Sequence, residues 1–275
     1  MRTSEWIQIG FAVVLALAAW VRPLPRDRRF VTALLALIAI AAVAAARATA
    51  FFLPATYVSI IRDWLTAALM LVPYWQTGQF FLGPNEKIQS RLAALDQRWF
   101  PRIAAASGTS RTRIGLSLEI AYLFCYPLVP LGLAVLYAAG LRGYTSVFWF
   151  IVLISTYICY AITPFVPALP PRSIGRPQLA SLSLNRGRIL NRWVLRHGSI
   201  HAISFPSAHV ASALSVALVL LWLVPLAGLL FLIVSVWIAI AAVAGRYHYA
   251  LDVLLGAATA LIVFAGSYAY LSGSF

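Results

Sequence analysis

Acidic residues are what this chain has least of. Its seven carboxylates, Glu5, Asp27, Asp63, Glu86, Asp96, Glu119 and Asp252, are scattered over 275 residues, too few and too far apart for an oxygen-rich multi-metal site. Cysteine is scarcer still. Cys125 and Cys159 both fall inside apolar runs, where a bridge would need two helices in register, so they read as buried free thiols and say little about compartment. Charged residues of either sign make up only 10% of the chain against 62% hydrophobic residues, and the mean hydropathy is +0.88. That balance excludes a soluble core and places the chain in a bilayer. No internal repeat appears, and no low-complexity tract beyond an Ala-rich second apolar run. Nucleic acid is a poor partner for it: the basic residues are spread over several loops with no recognition module among them.

Cations are what it does have. Lys and Arg number 21, for a net charge of +14, which suits an anionic membrane face or a phosphorylated substrate. Hydrocarbon about 30 Å thick takes roughly 20 apolar residues per helix. Runs without Asp, Glu, Lys or Arg cover 6–21, 30–46, 64–85, 120–141, 143–171, 197–245 and 253–275. The run at 197–245 must hold two helices, and Pro225 is where it turns. The expectation is an all-α, polytopic transmembrane bundle of about eight spans, near 5–21, 30–53, 58–80, 115–138, 146–168, 207–223, 227–245 and 249–271. The first is short, but it lacks the basic stretch and cleavage site of a signal peptide and reads as an anchor. Eight spans put the loops at 22–29, 81–113, 169–206 and 245–248 on one face. That face holds Arg22, Arg26, Arg28 and Arg29; Lys87, Arg91, Arg98, Arg102, Arg111 and Arg113; Arg172, Arg176, Arg186, Arg188, Arg192 and Arg196; and Arg246. These are 17 of the cations, leaving Arg2, Arg47, Arg62 and Arg142 opposite. The bias points the basic face toward the cytoplasm of an integral membrane protein, expected in a bacterial inner membrane.

Chemistry concentrates near the C-terminus, where His197, His201, His209 and His248 all lie. Ionisable groups at a membrane helix edge are costly without partners or a watery cavity. Pro206-Ser207-Ala208-His209 precedes an apolar run and starts a helix. The free amides there and the Ser207 hydroxyl favour an anion, and His209 one turn in can protonate a leaving oxygen. The plainer alternative is a capped span with an interfacial histidine. Near the last span, His248 and Asp252 are four apart, a helical spacing that lets the carboxylate fix one ring nitrogen and leave the other free to attack. Arg246 adds a fork of donors beside them; the alternative is a stability pair at the membrane boundary. Pro164 to Arg172 ends the fifth span with four prolines and delivers Arg172, a phosphate clamp or a snorkelling arginine, to the same face. His197 and His201 read as loop residues. Residues 186–196 read as an interfacial segment, with Trp193 and Leu195 entering the headgroups and its arginines meeting phosphates, or as a lid. Glu119 is an isolated intramembrane acid that bonds within the bundle or touches a polar acceptor.

In this order, over roughly residues 145–270, these motifs resemble the type 2 phosphatidic acid phosphatase (PAP2) superfamily. Pro206-Ser207-Ala208-His209 stands for the family's Pro-Ser-Gly-His, and His248 and Asp252 keep the third motif's separation. Pro170-Pro171-Arg172 and Tyr247-His248-Tyr249 look like the inositol phosphorylceramide synthase-like branch. Two positions depart from the pattern. Phe165 stands where the first motif has lysine, with Arg176-Pro177 as a competing alignment, and Ala242 stands where the third motif has arginine, so that Arg246 must serve from one helical turn further on. The resemblance implies a six-helix catalytic core within 58–275, its motifs inside 164–256, preceded by N-terminal transmembrane helices at 1–57. It implies phosphoryl transfer with no metal and no cofactor: His248 attacks phosphorus, Asp252 orients it and His209 protonates the leaving group. Arg172, Arg246, Ser207 and the Ala208 amide would hold the phosphate oxygens. Its substrate would be a membrane lipid phosphate or polyprenyl (di)phosphate, and water or a second hydroxyl would finish the cycle. Members of that family more commonly work on the outer or lumenal face, against the charge bias. From another class, a non-catalytic transporter or lipid-binding protein using the arginines as an anion site fits the same composition.

Overall fold

The computed structural model describes residues 1–101, 113–174, 186–200 and 202–272. No strand occurs among them. Helices α1 (Thr3–Val21) and α2 (Arg26–Ala48) are followed by α3 (Ala55–Leu69) and α4 (Leu71–Gln79), then α5 (Glu86–Trp99). After α6 (Arg113–Leu123) and α7 (Leu128–Ala138) come α8 (Thr145–Ile162) and α9 (Arg186–Gly198). The chain finishes with α10 (Ala208–Leu223), α11 (Pro225–Ala244) and α12 (Ala250–Ser272). Six segments are long and apolar enough to cross a bilayer: α1, α2 with its 3-10 extension, α3 with α4, α8 with its flanking turns, α11 and α12. The other two expected spans differ from simple rods.

The expected span at 115–138 is broken into α6 and α7, bent by 70°. Pro127 explains the break: it offers no amide to the helix, and the residues before it tighten into turns in which Cys125 N–H donates to Tyr122 and Tyr126 N–H to Leu123. Helix α10 has only 16 residues, about 24 Å at 1.5 Å per residue, less than the hydrocarbon thickness. Its ends are set by the Ser207 cap and by Pro225 just beyond it, and its walls are enclosed. Nearly every turn of α10 is buried, and its Ala and Ser positions let α8, α11 and α12 close on it. The turn falls at Pro225, the first residue of α11, as the sequence predicts. The fifth span stops at Ile162, short of residue 168, and Thr163–Phe165 and Pro171–Ser173 form single 3-10 turns around an extended stretch.

Around α8 and α10 sits the main core, which includes Leu133, Phe148, Trp149, Val216 and Leu220. A second cluster joins Ala12, Ala16, Ala36, Ala39, Leu69 and Val72 of α1 to α4. Both thiols are buried and unbridged. The face assignment from charge agrees with the contacts: Arg28 donates to the carbonyl of Gln79 (3.1 Å), Asn85 N–H to Pro167 (2.8 Å) and Arg172 N–H to Arg246 (3.0 Å). All four expected loops therefore meet at one end. At the other end Arg62 donates to Glu5 at 2.6 and 2.8 Å, Arg2 pairs with Asp63, and Tyr137 donates to Asp63 at 2.7 Å.

The long loop expected at 81–113 contains α5, an element not expected from the sequence. Asn85 caps it by accepting from the amides of Lys87 and Ile88, and Ile88 and Leu92 pack against Ala168, Ile203 and Tyr249. Gln89 accepts from Leu169 N–H (2.7 Å) and donates to Leu169 O (3.2 Å) and the Tyr249 hydroxyl. Asp96 accepts from Ala250 N–H at 3.0 Å. This helix clamps the first motif to the start of α12.

Candidate active site

Short elements with defined ends bring the site together. Ser207 is the N-cap of α10, its oxygen facing the amide of Val210, as the Ser-Pro signature predicts. Its own N–H donates to the carbonyl of Asp252 (2.9 Å), so the starts of α10 and α12 are bonded to each other. Gly256 permits that approach: a Cβ there would lie 2.4 Å from the carbonyl oxygen of Ser207.

Between α11 and α12 the chain turns sharply. Helix α11 ends at Ala244, Arg246 adopts a left-handed φ of 60°, and α12 starts at Ala250. This corrects two expectations. The segment carrying Arg246 does not continue the helix, so a displacement by one helical turn does not describe its position. His248 stands before the helix and not on it, and the turn folds it over the first turn of α12. There Nδ1 of His248 lies 3.1 Å from Oδ2 of Asp252. His248 is outside the spanning helices; burial above all, then the charge of Arg172, pushes its imidazole down to about 3, which keeps it neutral. Neutral imidazole with Nδ1–H held by a carboxylate leaves the Nε2 lone pair available.

His209 faces it, ring centroids 5.8 Å apart and nearly edge-on. Tyr122 and Tyr126 flank His209 at 6.0 and 5.8 Å. Nδ1 of His209, Oδ1 of Asp252 and Oγ of Ser204 are buried without a hydrogen-bond partner among the described residues. Orphaned buried polar atoms such as those of His209 and Ser204, which both line one cavity, are costly unless something binds there. A small cavity opens at this point, lined by Arg172, His209, Tyr247 and His248 with Tyr74, Leu195 and Ser204 among its other walls.

Arg172 enters the cavity with its guanidinium 5.2 Å from the centroid of the Tyr247 ring. The Arg246 side chain instead reaches the carbonyl of Pro171 (3.4 Å), and its backbone carbonyl accepts from Arg172 N–H. Arg246 thus braces the turn that presents Arg172. Ser207 and Ala208 sit just behind His209, both buried. Arg176, His201, Arg102 and Arg111 lie outside the described residues.

His197 is not brought to the site. It belongs to α9, not to a loop, and its Nδ1 lies 2.8 Å from the Trp193 carbonyl. Trp193 is exposed as expected, whereas Leu195 lines the cavity instead of facing headgroups. Glu119 is not isolated: Arg188, Asn191 and Tyr247 all donate to it. Tyr74 is a cavity residue the sequence did not single out. It comes from α4, and its hydroxyl accepts from Ile200 N–H at 3.2 Å. Nothing in the spacing of an apolar span marks such a residue. Among the described residues, no three His, Cys, Asp or Glu side chains gather as a set of metal ligands.

A family model described as PAP2 superfamily matches residues 90–266. No curated protein and no solved structure matches the chain.

Proposed function

Since the chain belongs to the PAP2 superfamily, whose members are in general phosphatases acting on phosphate esters, we propose that it cleaves a phosphate or diphosphate ester of a membrane lipid through a phosphohistidine. The observation that carries this reading is the His248–Asp252 pair, with His209 facing it and Arg172 in the same cavity. Nε2 of His248 attacks phosphorus while the bond to the leaving oxygen breaks, and His209 gives that oxygen its proton. Asp252 holds Nδ1–H and balances the charge on the imidazolium. Arg172, the Ser207 hydroxyl and the amides at the start of α10 stabilise the equatorial oxygens, with Arg246 adding charge behind Arg172. Water, or a second lipid or sugar hydroxyl, then attacks phosphorus, His209 takes its proton, and the P–N bond breaks to return neutral His248. Kinship with the inositol phosphorylceramide synthase-like branch, supported by Pro170-Pro171-Arg172 and Tyr247-His248-Tyr249, favours the transfer outcome.

Purified protein in detergent, given phosphatidate, phosphatidylglycerol phosphate and a polyprenyl diphosphate with and without an acceptor alcohol, tests this. Phosphate release or transfer that persists in chelator and disappears in His248→Ala and His209→Ala is the expected result. Undiminished turnover in both variants would sink the mechanism. Anion binding with no turnover of any substrate would favour a non-catalytic lipid-binding role.

A further inference from the structure

Glu119 is fully buried on α6, and a carboxylate at such depth persists only with strong partners. Three donors from two other segments converge on it. Arg188 Nη1 lies at 3.2 Å, Asn191 Nδ2 at 2.6 Å, and the Tyr247 hydroxyl donates as well. Asn191 Nδ2 also reaches the Glu119 carbonyl at 2.9 Å.

Tyr247 links this carboxylate to the cavity. Its ring stacks on Tyr122, centroids 3.9 Å apart and 10° from parallel, and carries the Arg172 guanidinium. Gly245 leaves room for the ring to fold back over the end of α11, since a Cβ there would lie 2.4 Å from it. The next residue is His248. A shift of the Tyr247 ring therefore moves the Arg172 cation and the His248 backbone together. On its other side Glu119 ties down α9, which supplies Leu195 to the cavity wall.

We propose that Glu119 is a positioning residue of the phosphate site, which through Tyr247 sets the placement of both Arg172 and His248. This rests on the reading of the cavity as a phosphoryl-transfer site. Only a carboxylate fits the role: Oε1 accepts from Arg188 and Oε2 from Asn191 and Tyr247, and glutamine would turn its NH2 group toward one of these two sets of donors. A carboxylate that merely glued helices together would, when lost, lower stability while leaving the folded fraction with normal kcat and anion affinity.

The test uses the full chain in detergent, comparing wild type with Glu119→Gln, Tyr247→Phe and the double variant. Tyr247→Phe retains an aromatic ring able to stack on Tyr122 but removes the hydroxyl that anchors this ring, and the Arg172 cation on it, to Glu119, so it carries the test alone if Glu119→Gln fails to fold. Two readouts are taken: kcat and KM for phosphate release from a short-chain phosphatidate, and affinity for orthovanadate. Each single variant is expected to lose roughly 10- to 100-fold in kcat, as misplaced reacting groups do, and about tenfold in vanadate affinity through the displaced Arg172. The double variant is expected to be no worse than the weaker single one, because both changes break one link. Wild-type kcat and vanadate affinity in the single variants, or losses that multiply in the double variant, would overturn the assignment. Should wild type release no phosphate from any lipid, the functional reading fails and vanadate decides for Glu119: weakened binding in both variants supports it, and equal binding or none by wild type overturns it.

Discussion

Asp252 has its oxygens divided between two tasks: Oδ2 faces Nδ1 of His248, and Oδ1 is buried without a partner among the described residues. Asp252→Asn keeps the volume but offers His248 either an amide donor or a neutral acceptor, so the imidazole loses its fixed tautomer. A loss of roughly 10³- to 10⁴-fold in kcat with little change in KM is expected by analogy with other His–Asp pairs, measured as phosphate release under saturating substrate. Gly256 is the second residue on which the geometry turns. In Gly256→Ala the new methyl meets the backbone carbonyl of Ser207, which has no flexible side chain to move. Overpacking of this kind costs about 1–3 kcal/mol, and the displaced start of α10 carries His209 with it. Lower thermal stability together with lost turnover is expected; a fully active Gly256→Ala protein would show that the approach of α12 to Ser207 does not set the site.

Among the elements, α5 is the one whose contribution most exceeds its length. Burial above all, and the charge of Asp252 in lesser part, push the Asp96 carboxyl up to about 6, against the pull of the Ala250 amide and Arg246. Because the folded state holds this proton more tightly than an unfolded chain with a value near 3.8, its contribution to stability is greatest below about pH 4. It falls as pH rises to about 6 and changes no further above that. Asp96→Asn retains an oxygen for the Ala250 amide and cannot ionise, so the melting temperature of the variant is expected to be flatter than wild type between pH 4 and 6. At the opposite end of the bundle, α1 is held to α3 by Arg62 and Glu5, with only 4% of the Glu5 side chain exposed. Arg62→Ala removes two charge-assisted bonds from that carboxylate, which keeps the Arg2 N–H at 2.9 Å, and a loss of roughly 2–3 kcal/mol in detergent unfolding is expected. Helix α5 itself was legible in the sequence. Asn85 followed by Glu86 is an N-cap signature, and Ile88, Leu92 and Leu95 recur at helical spacing; a search confined to long charge-free runs passes over it because it carries five charges.

For the whole molecule, the contacts at both ends fix which loops share a face. We propose that this face meets the cytoplasm, on the 17-to-4 division of cations. His197→Cys places a thiol on the exposed side of α9, while Cys125 and Cys159 are buried. In intact cells it should resist an impermeant maleimide and react after permeabilisation; labelling without permeabilisation would put the active site on the outer face. The site is also less local than its motifs. The His248–Asp252 pairing is readable between residues 164 and 256, yet Tyr74 on α4 and Gln89 on α5 hold or line the same cavity from segments that lie apart from every motif. Both residues precede the family match, which begins at residue 90.

By itself the sequence determined the solvent, the number of apolar segments, the face on which the cations gather and the histidine–carboxylate spacing on which the proposed phosphoryl transfer rests. Those properties are sums or short spacings, and hydropathy, charge and four-residue separations survive in one dimension. Tertiary structure decided the rest. It moved His248 off the helix into a turn, turned Arg246 into a brace for Arg172, and joined Glu119 to Tyr247 across 128 positions. Each of these depends on where a buried polar group finds its partner. In hydrocarbon that partner must come from another helix, because water cannot supply it.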